Sequence, residues 1–153
     1  MSESVDDLFA RYGHRYRALV TITGMTASFT MVLMGTTVNV AVPNVMGTFG
    51  VGQDMAQFMA TAFMATMTAS QLLNAWFIGK FGARTTFTIV LTIFTIGALL
   101  SATAPTLDVI LLGRVLQGFA AGVVQPLVMV TIIRVFPRDR RGTAMSVYAI
   151  GLV

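Results

Sequence analysis

The chain has 153 residues, a length that ordinarily makes one soluble domain, yet it carries only ten Lys or Arg and six Asp or Glu. Apolar residues make up 56% and charged residues 10%, where a soluble domain carries about 25% charged, so an ordinary water-soluble globule is excluded. The net charge of +4 does not mark a nucleic-acid binder, which clusters its basic residues on one solvated face, and the absence of Cys excludes disulfides, thiolate metal sites and cysteine nucleophiles.

Residues 1–17 form an N-terminal segment in which Val5, Leu8, Phe9, Tyr12 and Tyr16 recur at helical spacing opposite Asp6, Asp7, Arg11 and Arg15. That pattern predicts a short helix lying on a membrane surface. His14 has no Cys, Asp or His at ligand spacing and reads as solvated. The first apolar run, 18–42, is long enough to span a bilayer and is closed by Pro43, which cannot continue a helix ladder. It is too long for a signal peptide, lacks a small-residue cleavage site and is followed by further spans. A second span covers 55–78, with Asp54 and Gln57 resembling a capping box. A third covers 85–104 and stops at Pro105. A fourth covers 109–136, is closed by Pro137, and contains Pro126, expected to kink rather than break it because neighbouring helices re-satisfy freed backbone groups. A fifth opens at 143–153 and at 1.5 Å per residue reaches about 16 Å into a core about 30 Å thick. Ending there would strand carbonyls in hydrocarbon, so the expectation is a piece of a longer protein. The fold class is all-α and polytopic: four complete transmembrane helices and the start of a fifth.

Orientation follows from the positive residues. Arg11, Arg15 and Arg17 precede the first span, Lys80 and Arg84 separate the second and third, and Arg134, Arg138, Arg140 and Arg141 flank the end of the fourth. The other two loops, 44–54 and 105–108, contain no Lys or Arg. This places the N-terminus in the cytoplasm of a multi-pass cell-membrane protein, with Tyr12, Tyr16 and Trp76 at the cytoplasmic interface.

Polar or small residues recur on one face of each span: Thr21, Gly24, Ser28, Gly35 and Asn39 in the first, and Gln57, Thr61, Thr68, Gln71 and Asn74 around Met64 in the second. Thr88, Thr92 and Thr95 do so in the third, and Arg114, Gln117, Ala121 and Gln125 in the fourth. Such faces serve either helix packing or a cavity wall. Gly118 and Gly122 form a G-x-x-x-G that reads as helix packing. The 11 Met and 11 Phe offer either an adaptable binding surface or plain core and lipid contact. No nucleophile triad, paired carboxylates, phosphate loop or metal cluster can be assembled, so neither enzyme chemistry nor a metal or other cofactor is expected. Arg114 is the one ionisable residue well inside a span; it is either functional or a structural arginine snorkelling to the interface. No complete span contains an interior Asp or Glu, so none supplies a titrating proton relay.

Three stretches, LMGTTVNVAVPNV, WFIGKFGARTTF and LLGRVLQGFAAGVVQP, resemble in order and spacing the motifs of the major facilitator superfamily, most closely its fourteen-span drug/proton antiporter branch. Leu33, Thr36, Val38, Asn39, Val40, Ala41 and Pro43 match the family's first-helix motif, but Met34 stands where that motif has an acid associated with proton coupling. Gly82 and Arg84 match the loop motif and Lys80 is a basic substitute, while Gly79 stands where an acid often sits; the resemblance implies a helix lock weakened by that loss. Arg114, Gln117, Gly118 and Gly122 match the fourth-helix motif, whose arginine is linked in the family to coupling and interior polar networks. RRGTAMSVYAIG resembles the start of the family's fifth helix.

The resemblance implies the N-terminal part of a secondary transporter working by alternating access, a multidrug or small-molecule exporter for hydrophobic or cationic substrates. Arg114, Gln117, Asn39, Gln71 and Gln125 would line its interior. Its partners would be the bilayer, its substrate and the remaining helices of the full-length transporter, with no nucleic acid. Two other readings stay open: a small carrier or channel built by oligomerising four-span units, and a non-transporting truncated membrane component.

Overall fold

The computed structural model describes residues 15–136 and 141–150, apart from the side chains at 15–17, 39, 147 and 150. The surface helix expected before position 15, with His14, and the positions of Pro137, Arg138, Arg140 and Val153 lie outside the described residues. The described chain is helical: α1 (Arg15–Phe49), α2 (Gln53–Gln71), α3 (Asn74–Ala102), α4 (Leu107–Val135) and α5 (Arg141–Ile150). Among the described residues, three segments are long and apolar enough to cross a membrane: Ala18–Val38 within α1, α3, and α4, with mean hydropathies of 1.6, 1.9 and 1.8. The 19-residue α2 is not among them, since Gln53, Asp54, Gln57, Gln71 and its hydroxyl residues dilute its apolar content.

Pro43 does not end α1; the helix runs on through it to Phe49. A proline forfeits its own ladder hydrogen bond, but Val42, Val45, Met46 and Phe49 continue at helical spacing and pack against a core of Val38, Ala56, Met59, Leu107 and Ile110. The stop comes at Gly50, whose φ of 63° is the left-handed conformation in which helices commonly end. Pro126 likewise sits inside a continuous α4.

The expected capping box is absent. α2 begins at Gln53 with Gly52 as its cap, no side chain bonds the cap, and the Ala56 N–H closes the first turn on the Gly52 carbonyl at 3.1 Å. Asp54 instead lies in the first turn, where its carboxylate faces the positive end of the helix. α2 and α3 are separated by a tightened turn in which the Leu72 and Leu73 N–H groups reach back three residues, to the Ala69 and Ser70 carbonyls. α3 is itself interrupted at Gly82, with φ 75° and ψ 162°.

α4 is the centre of the bundle, packing on α1, α2, α3 and α5. Its buried Ala120, Ala121, Val123, Val124, Val128 and Ile132 meet Met31 of α1, Phe63 of α2, Val90 and Phe94 of α3, and Ala144 and Tyr148 of α5. Small residues let these backbones approach. A Cβ on Gly97 would fall 2.8 Å from the Gly113 carbonyl oxygen, and one on Gly118 or Gly122 would collide with the backbone of Phe63 or Met67.

Candidate functional site

Arg114 and Gln117 lie one turn apart on α4 and are 7% and 2% exposed. With α4 held against α2 and α3 through its glycines, these longer side chains are enclosed inside the bundle. One Arg114 Nη donates to the carbonyl of Met34 on α1 across 3.2 Å, tying the two helices together. Arg114 Nε and Gln117 Oε1 are buried with no hydrogen-bond partner among the described residues. The carboxylates among the described residues are Asp54 and Asp108, both exposed in the first turns of α2 and α4. The guanidinium therefore sits in the bundle interior without a described acid to balance it.

A cleft of about 250 Å³ opens between α1, α2 and α4, lined by Met31, Gly35, Phe63, Met64, Met67 and Gln125. Unbranched Met side chains repack around varied apolar shapes, and Gln125 adds a polar group to this wall. Arg114 and Gln117 do not line the cleft, so the interior residues expected from sequence divide into a buried pair and a cleft residue. Gln71 is exposed at the end of α2 and does not line the cleft. The Asn39 side chain lies outside the described residues. The threonine stripes turn inward on their own helices: the Thr61, Thr68, Thr88, Thr92 and Thr95 hydroxyls each donate to the carbonyl four residues back, and these residues are exposed.

The loop residues centre on Gly82. Its φ and ψ fall in a region essentially restricted to glycine. Beyond the break, the Thr86 hydroxyl donates to the Phe77 carbonyl at 3.1 Å and fastens the two sides of the turn. Lys80 Nζ stands 4.8 Å from the centre of the Trp76 ring and 5.5 Å from that of Phe81, so its charge rests against aromatic faces. Arg84 is exposed where the helix resumes.

The family model of the Major Facilitator Superfamily matches residues 12–153. The chain belongs to the major facilitator superfamily. Among curated members, the MFS-type transporter YhcA of Bacillus subtilis is 35% identical over 129 residues, which are 84% of this chain and 24% of that protein. YcnB of the same organism is 33% identical over 84% of this chain and 27% of its own length. The multidrug export protein EmrB of Haemophilus influenzae is 28% identical over 88% of this chain and 26% of its own. The chain thus spans about a quarter of the length of the relatives it matches. It is a polytopic membrane protein of this transporter family.

In this superfamily member the residue opposite Arg114 is Met34, and the arginine bonds its backbone rather than its side chain. The contact is therefore indifferent to which side chain occupies position 34. Sequence reasoning missed a second interhelical contact: Ser28 Oγ of α1 lies 3.1 Å from Tyr148 Oη of α5, and that tyrosine hydroxyl donates to the Gln125 carbonyl of α4 at 3.4 Å. Ser28 was legible as a polar position inside an apolar span; its partner, 120 residues away, was not.

Proposed function

We propose that this chain supplies the N-terminal part of an exporter that moves small hydrophobic or cationic molecules across the cell membrane by alternating access, with its N-terminus in the cytoplasm. The observation that carries this reading is the Met-rich cleft beside Gln125, between helices that α4 holds together. At about 250 Å³ the cleft falls short of the roughly 300–1,000 Å³ of a drug-sized site. Superfamily sites form between repeats, near the bilayer midplane, so the remaining helices of a full-length transporter would complete the wall. The name of the Haemophilus relative, a multidrug export protein, supports the export reading, and the close approach of α2 to α4 at Gly118 and Gly122 fixes the walls of the cleft.

In this reading Arg114 is a positioning residue that holds α1 against α4, with Gln117 packed beside it, and Gln125 is the polar contact for substrate. Met34 does not titrate, so α1 offers no proton carrier at that position and coupling is not routed through it. Lys80, Gly82 and Arg84 form the conformational turn, with Lys80 resting on Trp76 where a charge-paired lock would need an acid.

The test is efflux of a lipophilic cation such as ethidium from drug-susceptible bacteria expressing the full-length protein. Efflux above an empty-vector control is expected, with Met64→Arg lowering it by putting a positive charge, which repels the cation, on the apolar cleft wall. Absence of efflux from a well-expressed, membrane-inserted protein would sink the exporter reading.

A further inference from the structure

A second cavity, of about 260 Å³, opens between α1, α3 and α4 at the end of the bundle opposite Asp54 and Asp108. Val20, Phe87 and Leu127 give it apolar walls, and Thr131 adds little polarity because its hydroxyl donates to the Leu127 carbonyl at 2.7 Å. Gly24 and Val128 bound it where α1 and α4 touch, since a Cβ on Gly24 would stand 2.6 Å from Val128 Cγ1. The slot is smaller than a typical drug-sized site, about 300–1,000 Å³, and its volume of about 260 Å³ suits a stretch of hydrocarbon chain.

Arg84 lines the same slot. Lys80 precedes Arg84 across the Gly82 turn, Arg134 closes α4, and Arg141 opens α5, so cations gather at this end of the helices. The described carboxylates are at the other end. An apolar slot between transmembrane helices with basic residues at its interfacial end has the chemistry of an anionic lipid site, where charge attracts the headgroup and the slot takes hydrocarbon.

We propose that this slot holds an acyl chain of an anionic phospholipid, with its phosphate against Arg84. The site is separate from the Met-rich cleft and does not depend on what the protein exports. A zwitterionic lipid carries the same hydrocarbon but brings a cation beside its phosphate, so the site selects by headgroup charge.

The experiment reconstitutes full-length protein in vesicles of equal phosphatidylglycerol and phosphatidylcholine, extracts it in mild detergent, and counts retained lipids by native mass spectrometry. Retention of phosphatidylglycerol over phosphatidylcholine by about fivefold is expected, the factor that one basic residue near a membrane surface supplies. Arg84→Gln should bring the ratio close to one, and Arg84→Lys should keep most of it. Thr131→Phe, which fills the slot and leaves the cation in place, should remove retained lipid of both kinds. Equal retention of the two lipids by the wild type, unchanged selectivity in Arg84→Gln, or undiminished retention in Thr131→Phe would each overturn the proposal. So would absence of retained lipid in the wild type, the result expected if another helix of the transporter fills the slot.

Discussion

The Arg114 guanidinium of α4 donates to the backbone carbonyl of Met34 on α1, 80 residues earlier in the chain. A charged residue near the middle of a membrane helix costs about 2.5–3.5 kcal/mol to insert, and here one hydrogen bond to a carbonyl recovers part of that. Because the acceptor is backbone, the two partners should respond differently to substitution. Arg114→Ala removes the tie and is expected to abolish export while leaving membrane insertion intact, with little net loss of stability because the cost of burying the charge goes with the bond. Arg114→Lys keeps the charge but loses the fork of donors and should fall between. Met34→Leu keeps the carbonyl and should cost under about 1.5 kcal/mol. Efflux and thermal unfolding of full-length protein measure both effects; unimpaired efflux from Arg114→Ala removes the positioning role.

Gly118 and Gly122 should be the least replaceable glycines of α4 on its α2 side. A Cβ at either position meets a backbone oxygen, of Phe63 or Met67, which cannot swing away as a side chain could. Overpacking of this kind costs about 1–3 kcal/mol, so Gly122→Ala should lower the unfolding midpoint and loosen α2 from α4. Gly79 is the internal control: it lies in a helical part of α3, and a Cβ there meets nothing within 4 Å. Gly79→Ala should therefore stabilise by about 0.5–1 kcal/mol through helix propensity. Equal effects of the two substitutions on thermal unfolding would contradict the packing argument.

Gly82→Ala should act through backbone conformation alone, since a Cβ at this position also meets nothing within 4 Å. Its φ of 75° with ψ of 162° makes a side chain there cost about 1–3 kcal/mol. The strain would be relieved by opening the turn that Thr86 fastens to Phe77, so the substituted protein should be cleaved faster between residues 78 and 86 by a protease added on that side of the membrane. Cleavage at the wild-type rate would show that the turn tolerates a side chain.

The membrane character, the helical fold and the family were legible in sequence because apolar runs and motif spacing are local properties of the chain. The helix ends were less so. Pro43 reads as a stop, yet the apolar spacing of Val42, Val45, Met46 and Phe49 outweighs one lost ladder bond, and the stop falls at Gly50, whose left-handed φ leaves no mark beyond a glycine in a run of loop-like residues. Asp54 and Gln57 have the spacing of a capping box, but the helix starts one residue before Asp54, which moves the aspartate out of the capping position. At the candidate site, Arg114 and Gln117 were legible as polar residues in an apolar helix. Their enclosure was not, because it depends on how closely α2 and α3 approach the glycines of α4. Gln71 shows the reverse: it keeps the helical rhythm of its stripe yet lies on an exposed helix end.

Tyr148 joins three helices, and its loss should be felt most at Ser28. With the tyrosine proton directed to the Gln125 carbonyl, the Ser28 hydroxyl donates to Tyr148 Oη, and the serine is fully buried. Tyr148→Phe removes both bonds and strands a buried hydroxyl with no acceptor on α5, a loss of about 1–3 kcal/mol. Ser28→Ala removes one bond and leaves Tyr148 its contact with Gln125, so it should cost less. Once the tyrosine hydroxyl is gone, the serine hydroxyl is a liability, and adding Ser28→Ala to Tyr148→Phe should recover stability. The double variant should therefore unfold at a higher temperature than Tyr148→Phe alone, a non-additivity that only residues sharing a contact show. Losses that simply add in thermal unfolding of the two single variants and the double would mean that Ser28 and Tyr148 do not act as a pair in holding α5 to α1 and α4.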